Sequence, residues 1–159
     1  MTQQISPLKS LATTARALQH GMNLWPPFLF SGIRVERLSP DFRHARVRLR
    51  RLPATTNYVG TLFGGSLFAM TDPFWMFMIM RNLGPGYVVW DKAAQIDFVS
   101  PGRSSVTATF ELTQEALDEL VAAAEGGQKV LRWFEVDVVS DDGTVVAKVR
   151  KQVYVCTKR

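Results

Sequence analysis

Between Leu67 and Met80 the only polar side chains are Thr71 and Asp72. A helix written this way is apolar all round and has to be covered on nearly every side. The run is too short for a membrane span, which takes about 20 residues. In a chain of 159 residues, 47% apolar and 21% charged, composition is that of an ordinary globular domain. The cover must therefore come from the rest of the chain. The pattern predicts one helix from Gly65 to Asn82, entered through Phe63-Gly64-Gly65-Ser66 and closed by Gly84-Pro85-Gly86.

The flanking segments read as strands. Ile33 to Leu38 and Arg43 to Leu52 come first, with Pro40-Asp41 turning the chain between them. After the helix come Val88 to Val99, in which Ala94, Ile96 and Phe98 share a face, and an alternating strand carrying Val106, Ala108, Phe110 and Leu112. Gln114 to Glu125 spaces Leu117, Leu120, Val121 and Ala124 as a surface helix stopped by Gly126-Gly127. Val130 to Val139 and Thr144 to Val155 form a hairpin around Asp141-Asp142-Gly143. An antiparallel sheet can be wet on one face, so the apolar helix must cover the other. The expected architecture is α+β: a hotdog fold, an antiparallel sheet wrapped around a long buried central helix. Residues 1–24 read as an N-terminal helical extension, with Leu8, Leu11, Ala15, Leu18 and Met22 on one face, and 25–159 as a single hotdog domain.

The net charge is +5, and Arg43, Arg46, Arg48, Arg50 and Arg51 crowd one stretch. Because Arg46, Arg48 and Arg50 alternate with Val47 and Leu49, they read as the solvated face of a half-buried strand rather than a nucleic-acid surface. The single cysteine, Cys156, leaves no disulfide framework and no Cys-based zinc site. The first 30 residues lack the continuous apolar stretch of a secretory signal, and a cytoplasmic setting is expected. No metal or cofactor is expected, and neither is a membrane span.

The only histidines, His20 and His44, stand apart from any carboxylate or cysteine pattern, so Ser-His-Asp catalysis and His-based metal sites lack support. Ser66 sits outside a Gly-x-Ser-x-Gly elbow and reads as a first-turn helix residue. Gly64 and Gly65 have two readings. They present unpaired N–H groups at a helix start, suited to a developing oxyanion, or they form a tight, closely packed turn. Asp72 also has two. A carboxylate in an apolar run needs a partner, a proton or a polar cavity. It is either a general base or nucleophile with a raised pKa, or, in Asp72-Pro73, the cap of a second helical segment at a kink.

The stretch Asn57-Tyr58-Val59-Gly60-Thr61-Leu62-Phe63-Gly64-Gly65-Ser66-Leu67-Phe68-Ala69-Met70-Thr71-Asp72 resembles the motif of hotdog-fold acyl-CoA thioesterases of the phenylacetyl-CoA type. It is nearest to their small thioesterase-like subgroup described as a domain of unknown function. In that motif an Asn, a Gly seven residues on and an Asp eight beyond it carry the site. Asn57, Gly64 and Asp72 keep both spacings. The resemblance implies that the Gly64 N–H polarises a thioester carbonyl, that Asp72 from the other subunit attacks or activates water, and that Asn57 helps to orient the nucleophile. Gly65, Tyr58, Phe63, Trp75 and Trp90 would contact the acyl thioester. Arg103, with Lys92 and Arg81, would meet the phosphates of coenzyme A, which enters as substrate. Aromatic residues in and beside a buried helix also read as core, and the basic residues as surface charge. Two features depart from the wider pattern: Phe63 stands where many relatives have His, and Pro73 follows the Asp. The implied partners are a small acyl thioester and further copies of the chain, as homodimer or homotetramer. A non-catalytic acyl-ligand binder or structural oligomer is the rival reading.

Overall fold

The structure, a computed structural model, describes residues 14–158. Leu8 and Leu11 of the expected N-terminal helix lie outside these residues. The described part of that helix, α1 (Ala15–Leu24), begins at Thr14, whose side chain accepts a hydrogen bond from the Ala17 N–H. It ends at Trp25, which the following proline holds in an extended conformation. A short helix, α2 (Pro26–Phe30), follows. Ala15 and Met22 of α1 are buried in the common core, so this segment packs on the domain that follows it.

The strands are β1 (Ile33–Leu38), β2 (His44–Leu49), β3 (Tyr87–Phe98), β4 (Val106–Glu111), β5 (Val130–Ser140) and β6 (Val145–Thr157). They form one antiparallel sheet in the order β1-β2-β4-β5-β6-β3. Strands β2 and β3 are consecutive in the chain but lie far apart in the sheet, so the segment joining them crosses it. That segment holds the apolar run, and the sheet curls round it. Ala45, Val47 and Leu49 of β2 are buried. The arginines between them point outward, where Arg46 pairs with Glu36 at 2.9 Å and Arg48 with Asp141 at 2.8 Å. Helix α5 (Gln114–Ala123) buries Ala116, Leu117 and Leu120 and ends ahead of Gly126 and Gly127, both in the left-handed region.

The predicted central helix is two helices, α3 (Gly64–Ala69) and α4 (Phe74–Leu83), joined by a turn over Met70 to Pro73. Proline explains the break: Pro73 has no N–H to donate, and its ring would collide with the Ala69 carbonyl in a continuous helix. The chain tightens instead, with Thr71 N–H donating to Phe68 O and Asp72 N–H to Ala69 O, at 3.1 and 3.2 Å. Helix α4 carries the core. Phe74 stacks on Phe110 with ring centroids 4.9 Å apart, and Trp75 stacks on Phe134 at the same separation. Helix α3 is covered less fully, since Gly65 is exposed and Phe68 and Ala69 are half-buried.

A bulge in β3 decides what that strand presents. Asp91 pairs with Val153 and Ala93 with Gln152, which leaves Lys92 as the extra residue. One inserted residue exchanges the two faces beyond it. Thus Val89 and Asp91 point toward the helices, as do Ala94, Ile96 and Phe98 after the bulge, while Trp90 points the other way. The unbroken alternation of the sequence would have put Trp90 on the same face as Ile96.

Candidate functional site

Two arrangements meet the residues singled out in the sequence. The first is the loop leading into α3. Asn57 Oδ1 accepts from the N–H groups of Val59 and Thr61, at 3.2 and 3.0 Å, while its Nδ2 donates to Thr61 Oγ1 at 2.9 Å. Both ends of the side chain are therefore spent on shaping this turn. Leu62 N–H donates to Gly102 O and Phe63 N–H to Thr55 O, fixing the loop to its neighbours. Helix α3 then opens without a side-chain cap. Ser66 and Leu67 donate to Phe63 O, whereas the N–H groups of Gly64 and Gly65 have no hydrogen bond among the described residues. Both glycines also lie close under an aromatic ring. A Cβ on Gly64 would stand 2.9 Å from the Phe98 ring, and one on Gly65 would stand 2.3 Å from the Phe63 ring. Asn57, Gly64, Leu67, Phe98, Val99 and Gly102 help to line an open cleft of about 470 Å³.

The second arrangement surrounds Asp72. Its side chain is 61% exposed, so the buried charge expected there is not Asp72 but its partner, Lys151, at 3%. Lys151 Nζ donates to Asp72 Oδ1 at 2.7 Å and to Asp91 Oδ2 at 2.9 Å. Lys151 stands in the inward row of β6 with Ala147, Val149, Val153 and Val155, all buried. Asp91 reaches it because the β3 bulge keeps that side chain on the helix side. Burial pushes the Asp91 carboxyl above the ordinary aspartate value of 3.8, against the opposing pull of Lys151, and the Asp72 charge adds to the rise. Asp91 Oδ1 is buried with no hydrogen-bond partner among the described residues, as is Trp75 Nε1. Asp72 does not cap α4: Pro73 occupies the cap position, and no side chain bonds to the helix start.

The remaining candidates are scattered. Tyr58 is fully exposed at the tip of the loop, and Phe63 is 56% exposed beside the glycines. Trp75 is buried in the core against Phe110 and Phe134. Trp90 lies on the outer sheet face near Tyr154, away from the cleft. Arg103 is exposed in the loop before β4, not at a strand start, and Lys92 and Arg81 are exposed elsewhere. Lys151 and Asp91 were missed by the sequence reading. The alternation of β6 was enough to show a lysine in an otherwise apolar row, whereas Asp91 needed the bulge. Among the described residues no group of three or more His, Cys, Asp or Glu side chains is placed to hold a metal ion. None of their helices is long and apolar enough to cross a membrane.

Solved structures share this architecture. A protein of unknown function from Pseudomonas aeruginosa, described as a probable thioesterase, superposes with a TM-score of 0.75 at 21% identity, over 88% of this chain and 93% of that one. A thioesterase from Haemophilus influenzae gives 0.65 at 15% identity, over 92% of both chains. A protein of unknown function from Chlorobaculum tepidum gives 0.71 at 14% identity, over 91% of this chain and 98% of that one. At such identities the likeness is one of fold. No curated protein matches the sequence. The family model described as Domain of unknown function (DUF4442) matches residues 14–155. The sheet curled around a broken apolar helix is thus the hotdog fold that these solved structures share, and the chain belongs to the family described as Domain of unknown function (DUF4442).

Proposed function

We propose that this protein hydrolyses an acyl-CoA or related acyl thioester. The carbonyl oxygen is held by the unpaired Gly64 N–H at the mouth of the cleft, where negative charge developing on it is favoured. Asp72 of a second subunit takes a proton from water as the water oxygen bonds to the carbonyl carbon. The C–S bond then breaks, the thiolate leaves and takes up a proton, and a carboxylic acid and a thiol are released. Asn57 acts through the turn it builds, which sets where Gly64 points.

Asp72 carries this reading. An exposed carboxylate at a helix break, with Oδ1 bonded to a buried ammonium and Oδ2 without a partner among the described residues, has a fixed oxygen and an available one. Asp72 makes no capping bond to α4, and its recognised contact is the one from Lys151 to Oδ1. A two-chain site is supported by the cleft, which gathers Asn57 and Gly64 but not the Asp72 of the same chain. It is also supported by β3, a 12-residue edge strand on which the helix-side residues Ala94 and Phe98 are exposed.

The test is a panel of acyl-CoA substrates of graded chain length, assayed with wild type and Asp72→Asn. A loss of at least 100-fold in kcat in a folded variant is expected, as for the removal of a positioned general base. Turnover unchanged by the substitution would reject the role of Asp72. Tight binding of acyl-CoA without turnover would instead establish a non-catalytic binder.

A further inference from the structure

Lys151 is nearly enclosed, yet it stands on a strand whose other inward residues are apolar. A buried ammonium is costly unless its charge is met and its hydrogens are bonded. Two carboxylates meet it, and they differ in kind. Asp91 is the more enclosed, with a side chain 22% exposed, and it belongs to the neighbouring strand. Asp72 is largely exposed and lies in the turn between α3 and α4. An exposed aspartate in a turn would ordinarily sample several rotamers. Here one of its oxygens is bonded to a group that is itself fixed within the sheet.

We propose that Lys151, anchored by Asp91, is the positioning residue that holds Asp72 aimed with Oδ2 outward, an assignment that rests on the hydrolytic reading of Asp72. From α3 through α4 the only charged residues are Asp72 and Arg81, and Arg81 lies nine positions further on. Among the described residues the charged groups that meet Asp72 are Lys151 from β6 and, through it, Asp91 from β3. Clamping one oxygen leaves the other to meet water in a single direction, and positioning of this kind is worth about 100-fold in rate when lost. The β3 bulge belongs to the device, because it turns Asp91 toward Lys151.

Lys151→Met, Lys151→Arg and the double variant Lys151→Met/Asp91→Asn test this in the full chain. The double variant removes both members of the buried pair, so it keeps the fold accessible if the single variant is unstable. The expected result is a fall in kcat of about 10- to 100-fold with KM within about twofold of wild type, in both Met variants, with partial recovery in Lys151→Arg. Recovery of full kcat in the stable double variant would mark Lys151 as structural only. If Asp72→Asn abolishes turnover while the Lys151 variants retain it, hydrolysis stands and the positioning role falls. If Asp72→Asn keeps wild-type turnover, the hydrolytic role of Asp72 falls and the proposal falls with it.

Discussion

At the scale of single residues, charge placement is the informative feature. The sequence directs attention to Asp72 as the lone charge in an apolar run, yet the enclosed group is Lys151 and the most perturbed member of the cluster is Asp91. This has a consequence for stability. Folded Asp91 holds its proton more tightly than it would in the unfolded chain. Between pH 3.8 and its raised value the folded state therefore binds more protons, and stability falls as pH rises. Asp91→Asn removes that contribution. Denaturant unfolding across pH 3 to 7 should show the stability of wild type relative to the variant declining with rising pH through this window. A difference that is constant or grows with pH would mean that Lys151, and not burial, governs Asp91.

At the scale of elements, the protein manages its sheet edges by local devices. Strand β1 is one edge, and α1 covers part of it through polar side chains. Asn23 Oδ1 accepts from the Val35 N–H at 2.7 Å, its Nδ2 donates to Val35 O at 3.0 Å, and Gln19 Nε2 donates to Glu36 O at 3.0 Å. These contacts supply what a neighbouring strand would otherwise supply, and they protect the edge from pairing elsewhere. Asn23→Ala should lower stability by about 1 to 2 kcal/mol, since it leaves part-buried backbone groups without their partner. Denaturant melts and amide exchange at Val35 would read the change; wild-type stability and protection would show that α1 is held by its apolar face alone. Strand boundaries and the Asp-Gly turn were legible in the sequence because alternation and turn residues are local. A kink at Asp72-Pro73 was one of two readings the sequence left open, while its apolar pattern read as one helix from Gly65 to Asn82.

At the scale of the whole molecule, the opposite edge is open. Strand β3 has no neighbour beyond it, and past the bulge Ala94 and Phe98 remain exposed on the face that elsewhere covers the helices. The proposed two-chain site requires a second copy that covers this surface and places its Asp72 at the cleft of Gly64. Light scattering should therefore find a dimer or a multiple of it, and Ala94→Glu should shift the population toward monomer and reduce turnover with it. A monomeric wild type with full activity would reject the two-chain site.

The motif spacing of Asn57, Gly64 and Asp72, the apolar run and the order of strands were determined by sequence, because each depends on residues close together in the chain. Periodicity therefore disclosed the fold, and the resemblance added candidate roles. Tertiary structure alone decided that Asp72 is exposed, that Lys151 and Asp91 stand beside it from positions 79 and 19 residues later, and that Trp90 faces away from the cleft. The physical reason lies in register. A single extra residue at Lys92 exchanges the faces of β3, and antiparallel pairing then sets Asp91 beside a lysine 60 residues away. The apolar run remains the centre of the molecule, but it is a broken axis whose turn carries a carboxylate bonded to a buried lysine of the sheet.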